Sequence, residues 1–300
     1  NDGDNIYFSP SGLLHQINVE ILQDSQGNYA NRKYNIQRVS STREACFKKH
    51  PKKRSHAALY GGLKYDMDLS AMLAQSAIYK IKNDYIATRG LLPDSTDRAG
   101  WNELSGTLEE VNNVQRLMRK CNINTTLFSG QIGTEESFKA LSGKRIPIIH
   151  LATHGFFFKN ETVKSVDYFR NRMIGNNVYR PDNSLKRSGL VFSGAQKAWL
   201  GERIPESVED GILLAEEITD LDLRDVELVV LSACETGLGD ITSEGVFGLQ
   251  RAFKKAGVQT IIMSLWKVDD QATSLMMETF YENLLNGKSK KQSFLIAQRT

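Results

Sequence analysis

Cysteine, proline and long apolar runs are all scarce in this chain. Its 300 residues hold 3 cysteines and 6 prolines. Cys46, Cys121 and Cys234 are odd in number and none sits in a C-x-x-C pair. That pattern speaks against a disulfide framework or a structural zinc and fits a reducing, cytoplasmic compartment. No stretch approaches the roughly 18–20 apolar residues of a membrane-spanning helix. An excess of one charge is missing too. The 38 Lys+Arg against 35 Asp+Glu leave a net charge of +3, too balanced for a nucleic-acid footprint. One basic run, Lys48-Lys49-His50-Pro51-Lys52-Lys53-Arg54, lacks apolar periodicity and reads as a solvated loop. The phosphate loop G-x-x-x-x-G-K-[ST], a G-x-G-x-x-G after a strand and the G-x-S-x-G nucleophile elbow are all absent. Their absence weakens a nucleotide-binding reading and an α/β-hydrolase reading.

What remains is an ordinary globular composition, 40% hydrophobic and 24% charged, in a chain long enough to bury a large core. Short apolar runs alternate with helix-period segments, the signature of βαβ units around a mostly parallel sheet. Residues 1–56 are the less regular part. There Ile6-Tyr7-Phe8 and residues 13–17 flank the turn signal Ser9-Pro10-Ser11-Gly12, which predicts a hairpin. A strand over 34–39 and a helix start at 41–44 follow. Residues 57–300 form the second region. It has predicted strands at 57–60 (stopping at Gly61-Gly62), 126–128, 146–152, 226–232 and 260–264, with Ser188 to Gly194 lying between the third and fourth of these. Helices are predicted over 69–82, from a Thr107 cap to 121, from 134, over 244–255 and over 271–285. The polar stretch 157–187 reads as a mobile loop. The chain opens without Met and closes inside a helical pattern, as a fragment with a missing upstream segment and a truncated C-terminus would.

Two apolar runs carry the chemistry. Ile146-Pro147-Ile148-Ile149-His150-Leu151-Ala152 stops at Thr153-His154-Gly155, and Val226 to Ser232 stops at Ala233-Cys234-Glu235-Thr236-Gly237. Such runs belong to central strands covered on both faces, and ligands of open parallel sheets sit beyond the strands' carboxyl ends. His154 and Cys234 are 234 − 154 = 80 residues apart, yet adjacent parallel strands bring them to one rim. An imidazole there favours the thiolate and later protonates a leaving amine. Gly155 and Gly237 let a substrate approach and free backbone N–H groups for an oxyanion. A lone Cys after a strand is also a common core residue, and His150, within its strand, is a rival base. A His150/His154 metal pair lacks an Asp, Glu or Cys at ligand spacing.

The residues 149–155 and 231–237 resemble the CHAT family of caspase-like cysteine peptidases, with a similar run in separases. The likeness continues through Gly239-Asp240, residues 244–249, Ala252-Phe253, Ala256-Gly257 and residues 264–270. It extends upstream to residues 9–15 and 58–62. The resemblance implies a three-layer αβα sandwich of caspase type, a cysteine endopeptidase that cuts a specific partner protein, and the dyad His154 and Cys234. The oxyanion would meet the backbone N–H groups of Gly155 and Cys234. A basic P1 side chain would face Asp269, with Asp270, Asp240 and Glu235 as further candidates, each also readable as a helix-end or solvated acid. The resemblance further implies no cofactor, with calcium dependence left open. It also implies regulation by upstream tetratricopeptide-type repeats or a partner protein, and a bacterial setting in signalling or defence. The alternative is a catalytically silent scaffold of the same fold.

Overall fold

The computed structural model describes residues 4–10, 14, 17, 19–39, 41–46, 53–79, 99–157, 184–232, 243–264 and 270–299. Backbone packing divides the chain into two units, Asn1–Pro51 and Lys52–Thr300. In the first unit, β1 (Asn5–Phe8) runs parallel to β2 (Asn35–Arg38), with Asn5 opposite Asn35. Parallel strands need a crossover, and the short helix α1 (Ala30–Lys33) lies within it. Among the described residues β1's partner is therefore β2, not the hairpin neighbour that the Ser9-Pro10 signal predicts. Residues 11–13, 15 and 16 of that hairpin lie outside the described residues. The helix start expected at 41–44 is a short 3-10 helix, Thr42–Cys46.

The second unit is built on five parallel strands. These are β3 (His56–Leu63), β4 (Asn124–Gly130), β5 (Ile148–Leu151), β9 (Leu228–Leu231) and β10 (Thr260–Met263), in the order β10-β9-β5-β3-β4. Every residue of β5 and β9 is buried, as their near-continuous apolar sequence requires. Alternation along the strands then sorts side chains into two apolar layers. Ala57, Leu59, Ile148, Leu228 and Val230 share one cluster with Val111, Val114 and Met118 of helix α3 (Ser105–Lys120). Met277, Phe280, Tyr281 and Leu284 of α8 (Asp270–Leu285), and Ala297 of α9 (Lys290–Ala297), complete that layer. The spacings i, i+3, i+4 and i+7 put each set on one helix face.

The opposite layer joins Ala58, Tyr60, Ile149, Leu151, Val229 and Leu231 to Phe138 of α4 (Glu135–Lys139) and Phe253 of α7 (Ser243–Lys255). Helices α5 (Ala195–Trp199) and α6 (Ala215–Ile218) contribute Trp199 and Ile218 to the same layer. This is a three-layer αβα sandwich of caspase-like type. A small antiparallel sheet, β6 (Gly155–Phe157), β7 (Ser188–Val191) and β8 (Ile212–Leu214), follows directly on β5. Helix α2 (Leu69–Tyr79) buries Met72. No helix among the described residues is long and apolar enough to cross a membrane.

Three expectations change in detail. β3 does not stop at Gly61-Gly62 but continues to Leu63, with a register shift between Tyr60 and Leu63. The glycines are there because α3 packs against the strand backbone, and a Cβ on Gly61 would sit 2.5 Å from the Thr107 carbonyl oxygen. Gly62 (φ +63°) needs left-handed backbone, and its N–H donates to Thr107 Oγ1 at 2.9 Å. Thr107 thus straps α3 to β3 instead of capping the helix, which starts at Ser105 after Leu104. Arg54, expected in a solvated loop, makes a forked contact with the buried Glu227 carboxylate, with Nε at 3.3 Å and Nη2 at 3.0 Å. The reason is position: Arg54 enters the amino end of the sheet beside the start of β9. Burial would raise the Glu227 carboxyl, but Arg54 and Lys290 (2.9 Å) together hold it below the ordinary carboxylate range.

Candidate active site

The carboxyl ends of β5 and β9 lie side by side, with Leu151 opposite Leu231. Their pairing extends one step further, the Ser232 N–H donating to the Leu151 carbonyl at 2.9 Å. His154 stands three residues past Leu151, and Cys234 stands three past Leu231. Cys234 itself lies outside the described residues, as do Glu235, Gly237, Asp240 and Asp269. Asp270 is the first residue of α8 by its backbone, while its side chain is outside the description. The loop expected at 157–187 is likewise outside over 158–183.

His154 is 2% exposed and held from three sides. Its Nε2 is 2.7 Å from the Asn102 carbonyl oxygen. A carbonyl only accepts, so Nε2 carries the hydrogen, and in the neutral ring Nδ1 is the nitrogen with the lone pair. The rings of Tyr65 and Trp101 flank the imidazole, each with its centroid at 4.9 Å. The segment bearing Asn102 is itself clasped by α5. Gln196 Oε1 accepts from the Trp101 N–H at 2.7 Å, and Trp199 Nε1 donates to the Ala99 carbonyl at 3.1 Å. Thr153, beside His154, meets the Tyr65 hydroxyl at 2.9 Å. The imidazole therefore has one orientation, set by elements far apart in sequence.

Gly155 opens β6. The Val191 N–H donates to the His154 carbonyl at 2.9 Å, which makes Gly155 and Leu190 an opposed pair that do not bond to each other. The Gly155 N–H therefore points away from β7. β6 is an edge of its sheet, so that direction leads out of the ladder.

His150 is the contrasting case. It is fully buried on the α3/α8 face, with Nε2 at 2.9 Å from Glu110 Oε1 and Nδ1 at 3.1 Å from the Tyr281 hydroxyl. The other carboxylate oxygen, Glu110 Oε2, accepts from Ser232 Oγ at 3.0 Å. Both ring nitrogens of His150 face side chains packed under the sheet. Asn102, Trp101, Glu110 and Tyr281 are not among the residues singled out from sequence. A backbone carbonyl leaves no residue signature. Glu110 did leave one, since it lies three residues after Thr107 and four before Val114, on the buried stripe of α3.

One acidic group among the described residues has the donors for a cation. Carboxylate oxygens of Glu135, Glu209 and Glu217 lie within 4.8 Å of one another. Lys139 Nζ already sits among them, at 2.7, 3.1 and 2.9 Å respectively. Burial, then the neighbouring Glu135, pushes the Glu209 and Glu217 carboxyls up to about 7. The same causes push Asp210 well above the usual range. Five acids, Glu135, Glu136, Glu209, Asp210 and Glu217, thus share a neighbourhood with one ammonium.

Comparison with known proteins places this geometry in a family. Human tetratricopeptide repeat protein 28 is 28% identical over 194 residues, which is 64% of this chain and 7% of that protein. Mouse tetratricopeptide repeat protein 28 is 41% identical over 76 residues, 25% of this chain and 3% of that protein. The chain thus matches only a small part of these mammalian relatives. The CHAT domain family matches residues 1–300. With a caspase-like sandwich, a histidine at the strand rim and a match along its whole length, the chain belongs to the CHAT domain family.

Proposed function

We propose that this domain is a cysteine endopeptidase whose dyad is His154 and Cys234. The observation that carries the reading is the register of β5 on β9. Leu151 and Leu231 are partners, and each is followed three residues later by one member of the dyad. The donation from His154 Nε2 to the Asn102 carbonyl supports it, because that bond leaves Nδ1 to act as base.

The chemistry runs as acyl transfer. His154 Nδ1 takes the proton of Cys234 Sγ, and the thiolate attacks the scissile carbonyl carbon, forming a C–S bond. The oxyanion is met by the Gly155 and Cys234 N–H groups. As the C–N bond breaks, the imidazolium returns its proton to the leaving amine, and a thioester remains. Water then attacks the thioester, giving its proton to His154. Collapse releases the acid and restores the thiol. No metal or cofactor has a step in this scheme. Asp269 is proposed to face a Lys or Arg at P1, with Asp270, Asp240 and Glu235 as further candidates. Fluorogenic peptides cleaved after Asp or Leu but not after Arg remove that idea. The relatives' names carry tetratricopeptide repeats, so repeats of that kind, or a partner protein, are proposed to govern access of a protein substrate.

The test is turnover of a peptide library by the wild type and by Cys234→Ala. Removing the nucleophile lowers cleavage at least about 10³-fold. Equal residual turnover in both proteins, with and without repeats attached, returns the chain to the scaffold reading.

A further inference from the structure

We infer that Gln196 is a positioning residue for the His154 imidazole, acting through the segment that carries the Asn102 carbonyl. The inference rests on the dyad reading above, in which His154 is the base. Residues 99–104 have no helix or strand of their own, so no ladder of backbone bonds places Asn102. Its carbonyl is nevertheless the group that meets His154 Nε2, at 2.7 Å. One residue earlier, the Trp101 N–H donates to Gln196 Oε1 at 2.7 Å. Trp101 is buried, its backbone N–H needs an acceptor, and the amide oxygen of Gln196 supplies it.

Gln196 holds the other wall of the imidazole as well. Its own N–H donates to the Tyr65 carbonyl at 3.0 Å, beside the Gly194 N–H on the Lys64 carbonyl at 3.1 Å. Tyr65 and Trp101 are the residues whose rings flank His154, each at 4.9 Å. One residue at the start of α5 therefore ties both, Tyr65 through its main chain and Trp101 through its side chain. Gly100 makes room for the second tie, since a Cβ there would stand 2.1 Å from Gln196 Nε2. Gly100 is not among the glycines with left-handed backbone, so its missing side chain serves the approach of the amide and not a turn. The Trp199 indole donates to the Ala99 carbonyl at 3.1 Å, three residues from Asn102, and so governs that carbonyl less closely. A displaced Asn102 carbonyl lengthens or bends its bond to Nε2, and reacting groups tolerate little misplacement.

Exchange of the His154 Nε2–H with water, followed by NMR of histidine-labelled protein, tests the inference without requiring turnover. His154→Gln assigns the signal by removing it. Gln196→Met keeps the length of the side chain and removes the acceptor. It should quicken this exchange about tenfold and, on peptide substrates, lower kcat about tenfold with KM unchanged. Gln196→Glu keeps an oxygen in the same place and should stay within about twofold of the wild type in both readouts. Gly100→Ala should act like Gln196→Met, because its Cβ displaces the amide, and should add nothing in a Gln196→Ala background. The ring signals of His150 should stay where they are in every variant. Wild-type exchange in Gln196→Met, or equal effects of the Met and Glu variants, overturns the inference. If Gln196→Met does not fold, Gly100→Ala decides alone by the same exchange rate. Turnover separates the two levels. If His154→Gln leaves it unchanged, the dyad reading fails and takes the positioning role with it. If His154→Gln lowers it while Gln196→Met does not, only the positioning role fails.

Discussion

His150 and His154 sit four residues apart at the end of one strand, are almost equally buried, and have become different things. His150 has a carboxylate on one nitrogen and a phenol on the other, both from helices beneath the sheet. His154 has a backbone carbonyl on Nε2 and two aromatic rings at its sides. A carboxylate and a phenol hold the His150 ring between two helices under the sheet. A carbonyl partner fixes Nε2 as the hydrogen-bearing nitrogen of the His154 ring. Burial alone does not separate these two histidines; the groups that meet their rings do.

The sharpest break in that comparison is kinetic. His154→Gln keeps a donor for the Asn102 carbonyl but has no titratable nitrogen. Peptide turnover should fall about 10³-fold, while chemical denaturation shifts by no more than about 1 kcal/mol. His150→Ala should do the reverse in kind, costing about 3–5 kcal/mol of unfolding free energy, since Glu110 and Tyr281 both lose their partner. A His150→Ala protein that melts like the wild type but has no turnover would exchange the two roles.

A smaller effect comes from the acids around Lys139, where one cation serves several carboxylates instead of one histidine serving one. Glu217 is raised to about 7 from an ordinary value of 4.5. A raised acid keeps its proton in the folded state after the unfolded chain has released it. Its contribution is therefore fully present below about pH 4.5 and is lost as the pH rises through about 7. Glu217→Gln keeps one carbonyl oxygen, which accepts from the Leu214 N–H, and removes the charge that faces Lys139. It should leave stability unchanged at pH 4 and raise it by about 2 kcal/mol at pH 8, read from urea denaturation at each pH. A variant less stable than the wild type at pH 8 would show that the Lys139 ion pair outweighs the burial.

The central strands were legible because their apolar runs end abruptly in polar and glycine residues, as in 146–155 and 226–237. His154 was legible for the same reason, as a polar residue just past a buried strand. Other features were hidden by physics that leaves little trace in local sequence. Gly61-Gly62 read as a strand end, yet their missing side chains serve the close approach of α3. The parallel pairing of β1 with β2 depends on a crossover that a turn signal at Ser9-Pro10 cannot reveal. Arg54 looked like one more charge in a basic loop, and only the fold brings Glu227 to it across the sheet. The Asn102 carbonyl could have belonged to any residue type.

The most direct measurement is active-site labelling with a peptidyl electrophile, read by mass mapping of Cys46, Cys121 and Cys234 in the wild type and in His154→Gln. The account predicts adduct concentrated on Cys234 in the wild type and lost from it in the variant. Adduct spread evenly over the three thiols, or a Cys234 signal indifferent to His154, would contradict it.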